Sequence, residues 1–578
     1  VAKWKPSIKF TGITLFEESK ITNIEGKSGE IWRVSPYTAT DFVDKKSIIN
    51  STKVIDITNA MDEKGNLAFT LPSGLWKILR IGHTSTGHKN ETAGAGKGLE
   101  ADKLDSDIMG FQFEQWYGTA KKSIAPDISK DVLTIYHIDS WECGSQNWTR
   151  KMGEEFEKRR NYPLDKYWPV LTGMIVNTME ESEAFLSDYR LTLAELLNEK
   201  CFGTLKAKSD QYGVKFTAET TAPVMVSDGL SHFAYTDNTM GEFWFRSPSH
   251  DKPNDILDAV SAGHIYGKNI IMSEAFTQIR MQWDEHPRLL KSLQDRNYAI
   301  GVNSLVYHVY THNPWLDRKP GMTLDGVGIY FQRDQTWWNQ GKEWVNYAIR
   351  NQQLLQHGNP VRDIAVFIGE EIPRRSILPN RLVNFLPGLL GEKRSALAHR
   401  MLENKNIPMQ KIANVSTTKN MYNPEEWVDP FQGYAFDSYN PDALINNTKV
   451  LNGKIVLSDR VDYKVLLIPS NHTLNHRGTY YTLPTLKNLI KLIEQGATVV
   501  FEELPKYPRG ILTPQDSIEF DALVQQLSSN IQVQKLSKSK LFTKQIGLGK
   551  LYVGTIHEKN LSFLGLDEDV IINKKNNT

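Results

Sequence analysis

The stretch Thr134–Thr149, TIYHIDSWECGSQNWT, decides how the chain is read. Thr134 to Ile138 is rich in β-branched and aromatic residues, the composition of a short buried strand. Asp139, Ser140, Trp141 and Glu142 follow at once, then a turn at Gly144, then Gln146, Asn147 and Trp148. Carboxylates, amides and indoles therefore stand where a strand gives way to a loop, the place at which parallel α/β barrels carry their chemistry. An indole beside a carboxylate offers a sugar ring an apolar platform and a hydrogen-bonding or proton-donating partner. Read blandly, the same residues are a core strand and a solvated loop.

Working outward, the pattern from about 100 to 370 alternates helix and strand. The strands read at Thr134–Ile138, VKFTAET (Val214–Thr220), NIIMSEAF (Asn269–Phe276), VNSLVYHVYTHN (Val302–Asn313) and DIAVFIG (Asp363–Gly369). Between them lie helical periods, the longest from about Glu181 to Tyr212, broken by Gly213. Several of these strands end in polar residues, Glu219, Glu274, and His308 with His312, as the catalytic face of a barrel would. The expected architecture is an α/β chain: a small β-domain over 1–90, a (β/α)8 barrel of TIM type over 91–440, a Rossmann- or flavodoxin-like α/β unit over 441–530, and the start of a further β-rich region over 531–578. In the first ninety residues the β runs are Ser7–Thr14, Gly29–Val34, Lys53–Ile57, Leu67–Leu71 and Leu75–Ile81.

Composition removes several function classes. At 578 residues the chain exceeds what one core organises, and roughly two to four domains are expected. A net charge of +1 supplies no field for nucleic acid or an anionic membrane. Two cysteines, Cys143 and Cys201, cannot form a disulfide framework, and no run reaches the ~18 apolar residues of a membrane helix. Gly94, Gly96 and Gly98 fit neither dinucleotide nor Walker spacing, so nucleotide binding is set aside.

Taken together, DSWECGSQNWT, RRNYPLDKYWPVLTG (Arg159–Gly173), FLSDYR (Phe185–Arg190), GEFW (Gly241–Trp244), SEAFT (Ser273–Thr277), VYHVYTHNPW (Val306–Trp315), PGM (Pro320–Met322) and Trp337-Trp338 resemble glycoside hydrolase family 106. LRIGHTSTG and GLEADK upstream, and YKVLLIPS with QGATVVF downstream, fit the same pattern. The resemblance implies an α-L-rhamnosidase with a (β/α)8 domain, inverting chemistry, bound Ca2+, a rhamnose-containing oligo- or polysaccharide as substrate, and a periplasmic or secreted location.

Inversion needs one carboxyl group to protonate the leaving oxygen and another to activate water, roughly 6.5–9.5 Å apart. Glu142 is expected as the general acid, desolvated by Trp141 and Cys143, and Glu274 as the general base. Glu242 and Asp139 lead as calcium ligands, followed by Asp237 and Glu219. Trp141, Asn147, Trp148, Trp244, Trp283, His308 and His312 are expected to contact sugar, with Trp315 a further platform. Two alternatives stand beside this: an inactive carbohydrate-binding protein, and a retaining glycosidase of the β-galactosidase type with carboxyl groups about 5–5.5 Å apart. Because only five strands are legible between 130 and 370 and Val1 is no initiator, the chain is also expected to be a piece of a longer enzyme, with about three barrel strands preceding it.

Overall fold

The computed structural model describes residues 18–30, 43–90, 96–220, 226–246, 253–318, 321–324, 326–378, 382, 385, 433–472, 474–536, 539–556 and 561–570. Its organising element is a five-stranded, wholly parallel sheet, β1 (Ile135–Ile138), β2 (Lys215–Glu219), β3 (Asn238–Trp244), β4 (Ile271–Thr277) and β5 (Ser304–Tyr307), in sequential order. Strands in sequential parallel order with helical crossovers form a half-barrel. The crossover between β1 and β2 includes α2 (Met152–Arg160) and α3 (Met179–Leu196), and α1 (Ser106–Phe113) precedes β1. α3 starts at Thr178, whose hydroxyl accepts from the Glu181 amide at 3.0 Å. It buries Phe185, Leu186, Tyr189, Leu193 and Leu196, the helical spacing legible in the sequence. A π-helical segment, Leu197–Gly203, and a further helix, Thr204–Gln211, carry the chain to Gly213, where φ is +65°. α4 (Pro253–Ile265) and α5 (Pro287–Ile300) complete the next crossovers, and α6 (Gly341–Leu355) follows β5.

Strand membership differs from the sequence expectation. The count of five stands, but Ile364–Phe367 (β6) belongs to a second sheet, and Asn238–Trp244 takes its place in the half-barrel. The reason is local. Gly241 interrupts the β-rich pattern, yet a glycine is required there, because a Cβ would lie 2.8 Å from the Asp255 carbonyl oxygen of α4. β6, in turn, is apolar and buried throughout, so its composition does not say which sheet it joins.

The second sheet has seven strands in the order β10–β11–β12–β9–β8–β6–β7. These are β6, β7 (Phe436–Tyr439), β8 (Val465–Ile468), β9 (Thr498–Phe501), β10 (Gln532–Leu536), β11 (Ser539–Ile546) and β12 (Gly549–Val553). Residues 532–553, read from sequence as the start of a new region, are the antiparallel edge of this sheet, joined to β9 through parallel pairing of β12. α7 (Leu483–Glu494) buries Leu486, Leu489, Ile490 and Ile493 and, with α8 (Pro514–Ser528), covers one face.

Among the described residues up to 90 the only strand is Ile48–Ile49, paired in parallel with Ile175–Val176. Lys53–Ile57, Leu67–Leu71 and Leu75–Ile81 run without strand pairing apart from a bridge between Met61 and Leu67. Ser7–Thr14 and Ile31–Val34 lie outside the described residues.

Hydrophobic packing divides into two clusters, and the division runs through the half-barrel. Tyr136, Phe216 and Ala218 of β1 and β2 pack with α1–α3. Phe243, Ile271 and Ala275 of β3 and β4 pack in one continuous core with Ala365, Leu467 and Val500 of the second sheet.

Candidate active site

Side chains alternate along each strand, so register fixes what shares a face. Ile138 pairs with Ala218, Glu219 with Met240, Met240 with Met272, and Glu242 with Glu274, which itself pairs with Val306. The face opposite the helices therefore carries His137, Asp139, Thr217, Glu219, Asn238, Met240, Glu242, Met272, Glu274, Ser304 and Val306. The face is acidic where the strands end, at Asp139, Glu219, Glu242 and Glu274, and Lys215 shares it at the start of β2, beside Ile135.

Its centre is a carboxylate cluster. Asp139, just beyond β1, Glu219, ending β2, and Glu274 of β4 present oxygens that all lie within 4.8 Å of one another. Glu219 is buried, Glu274 half-buried and Asp139 exposed. Three hard anionic oxygens at this spacing repel one another, and a divalent hard cation relieves that repulsion. The donor set thus fits calcium. Glu219 stood behind Glu242 and Asp139 in the sequence reading, and the structure puts it at the centre. The signal that marks it is its position as the last residue of a strand.

The remaining residues sort by what they touch. Glu242 is buried and accepts the indole N–H of Trp244 two residues on. Glu274 accepts the Thr277 hydroxyl. His137 Nδ1 lies 2.9 Å from the Thr217 hydroxyl, and burial lowers its pKa against the opposing pull of Asp139. Burial likewise lowers His308, again opposed by Asp139, which places this histidine electrostatically beside the cluster.

Glu142 departs from its expected surroundings. Trp141 and Cys143 are buried, but Glu142 between them points to solvent, with the Ser140 hydroxyl 3.3 Å from its carboxylate. Neighbours along an extended loop face opposite ways, so burying the flanking pair exposes the acid rather than desolvating it. Trp141 is also no sugar platform: its indole donates to the Gly144 carbonyl at 2.7 Å, beneath the Lys103 ammonium. Asn147 fastens the loop, donating to Ser28 O at 3.1 Å while its own carbonyl accepts from Tyr189 at 2.5 Å. Trp148 is half-buried, 5.3 Å from Trp168 by ring centroids.

Asp237 leaves the candidate ligand set. It lies at the opposite end of the sheet, accepts the Phe216 amide at 2.8 Å and pairs with Lys206 at 3.4 Å. β5 ends at Tyr307, so His308 and the exposed His312 are not held on one strand face as their spacing implied. Trp283 and Trp315 are exposed, the latter under the Arg318 guanidinium at 4.7 Å.

Comparison with known proteins settles the family. The alpha-L-rhamnosidase profile of glycoside hydrolase family 106 matches residues 5–388 and 412–578. The chain belongs to glycoside hydrolase family 106. The chain is similar to a rhamnosidase from Novosphingobium sp. PP1Y, at a TM-score of 0.73 and 26% identity, over 95% of this chain and 47% of that one. A Formosa agariphila protein, provisionally named a beta-glucuronidase, is 36% identical over 341 residues, 59% of this chain and 29% of its own length. This family 106 chain thus spans under half the length of either relative. Among its described residues no helix is long and apolar enough to cross a membrane.

Proposed function

We propose that this family 106 chain carries the catalytic face of an α-L-rhamnosidase that hydrolyses rhamnose-containing glycosides or polysaccharides with inversion, outside the cytoplasm. The observation that carries the reading is the convergence of Asp139, Glu219 and Glu274 on one sheet face, with Glu142 exposed on the loop that follows β1. The five parallel strands form part of a (β/α)8 barrel in this reading.

Glu274 acts as general base. The Thr277 hydroxyl stabilises its anionic form, the form that can take a proton from water. Glu142 acts as general acid; solvent exposure lets it reload between turnovers, and the bound sugar supplies the desolvation that its flanking residues do not. Asp139 and Glu219 would hold a calcium ion, with Glu242 the next oxygen source on the same face. The ion would supply orientation of sugar hydroxyls. Trp244, held by its bond to Glu242, and the exposed Trp283 offer ring platforms, and His308 a neutral hydrogen-bonding partner.

The glucuronidase name borne by the Formosa relative supports a second substrate class. A glucuronate carboxylate needs a cationic partner, and the cluster of Asp139, Glu219 and Glu274 is anionic, which favours a neutral sugar. The test is a paired assay with 4-nitrophenyl α-L-rhamnoside and 4-nitrophenyl β-D-glucuronide, with the anomer of the released sugar followed by NMR. Release of rhamnose as the inverted anomer supports the reading. Release of glucuronate alone, or of the retained anomer, overturns it.

A further inference from the structure

A cavity of about 490 Å3 lies away from the carboxylate face, between α3, the 228–235 segment and the second sheet's loops around 370, 441–446, 482–484 and 509–516. Its size is that of a small-molecule site. None of Asp139, Glu142, Glu219, Glu242 or Glu274 lines it.

Arg509 is the unusual lining residue. It is only 5% exposed, and its Nη1 is committed to Glu371 at 2.8 Å and the Ser187 hydroxyl at 3.0 Å. Its Nε and Nη2 are buried with no hydrogen-bond partner. Those two N–H groups form one edge of the planar guanidinium, the fork that accepts both oxygens of a carboxylate. Leaving such donors buried and unmet costs free energy that a fitting oxyanion recovers. A second wall residue, Asn198, has a buried side-chain carbonyl oxygen without a donor. It calls for a hydroxyl or amine hydrogen. Tyr235 adds an aromatic wall.

The lining also holds seven carboxylates, each already engaged: Asp442 accepts from the Tyr266 hydroxyl and Asp516 from the Thr513 hydroxyl, both at 2.7 Å. Glu199 pairs with Arg159 at 2.5 Å, Glu195 with Arg160, and Asp228 with Arg374 at 2.5 Å. Glu370 accepts from Thr482 and Thr485, and Asp188, whose pKa burial raises, accepts from Tyr162 and the Ile511 amide. The unmet groups are thus a carboxylate-shaped donor fork, a hydroxyl acceptor and an aromatic face.

We infer that this cavity binds a uronic acid residue, its carboxylate on the Nε–Nη2 edge of Arg509 and a ring hydroxyl on Asn198. The site is independent of the hydrolytic centre and anchors an acidic sugar unit of the polymer rather than the sugar being cleaved.

Calorimetry on the purified chain tests this with methyl β-D-glucuronide, its neutral counterpart methyl β-D-glucoside, and sodium sulfate. The glucuronide is expected to bind at one site, and the glucoside at least about tenfold more weakly, since it leaves the fork unmet. Arg509→Lys is expected to weaken the glucuronide at least about tenfold, because an ammonium offers no fork. Ala234→Trp, which adds bulk at another lining residue and leaves Arg509 itself unaltered, is expected to weaken binding at least about tenfold and covers the case in which the arginine variant fails to fold. Equal binding of glucuronide and glucoside, sulfate binding as tightly as the glucuronide (an adventitious ion only), unchanged affinity in Ala234→Trp, or no glucuronide heat at all would each overturn it.

Discussion

At the scale of single residues, the two proposed proton-transfer roles differ in environment, and that difference is measurable. Glu274→Gln is expected to lower kcat by about 10²–10⁴-fold on every substrate, because water must be activated whatever the leaving group. Glu142→Gln is expected to lose a comparable factor on alkyl rhamnosides, yet far less on 4-nitrophenyl rhamnoside, whose leaving group needs little protonation. Both proteins should keep the wild-type melting curve, since glutamine preserves the size and shape of each side chain. Equal losses on both substrates in Glu142→Gln would remove the acid role. The candidates for these roles were legible as acidic residue types at and just beyond strand ends. What the sequence could not show is which neighbour faces which way. Trp141 looked like a sugar platform beside Glu142, and its indole instead closes the loop onto Gly144.

The elements are held by an ionic joint between the half-barrel and the second sheet. Arg190 of α3 donates to Glu371 at 2.7 Å, and Arg509 to the other oxygen of the same carboxylate. Burial alone would raise the Glu371 pKa, but Arg509 and Arg190 outweigh it and hold the group well below the usual carboxylate range. A depressed folded pKa contributes stability above the unfolded value, about 4.3, and that contribution is lost as pH falls toward the folded one. Glu371→Gln is therefore expected to destabilise the chain by about 3–5 kcal/mol at pH 7, leaving two buried guanidinium groups short of charge. Urea midpoints of variant and parent should converge progressively below about pH 4. A pH-independent gap would mean that the loss is steric. Periodicity alone located the helical run that begins with α3 and continues to Gln211, as well as four of the half-barrel's five strands. It failed at β3, where Gly241 serves the close approach of α4, and at β6, where four buried apolar residues suit either sheet. Long-range pairing decides both cases, and a one-dimensional pattern does not contain it.

At the scale of the whole molecule, a cation held by Asp139 and Glu219 is expected to raise the melting temperature. Calcium should do so more than magnesium, whose smaller shell demands stricter octahedral geometry, and EDTA should reverse the gain along with activity. Full activity and an unchanged melting curve after exhaustive chelation would take the ion out of the account. The two hydrophobic clusters give this experiment a second reading. β1 and β2 belong to one packed body and β3 and β4 to the other, so Asp139 and Glu219 ride on the first while Glu242 and Glu274 ride on the second. The candidate carboxylates thus straddle a mechanical seam, whose opening is opposed by the β2–β3 ladder, the ionic joint and bridging contacts such as Phe202 on His232 and Lys206 with Asp237. Substrate and cation would work there as a rivet, and amide hydrogen exchange at Thr239 and Met240 should slow when they bind. A thermal fluctuation that parts the two bodies separates base from ligands without unfolding either.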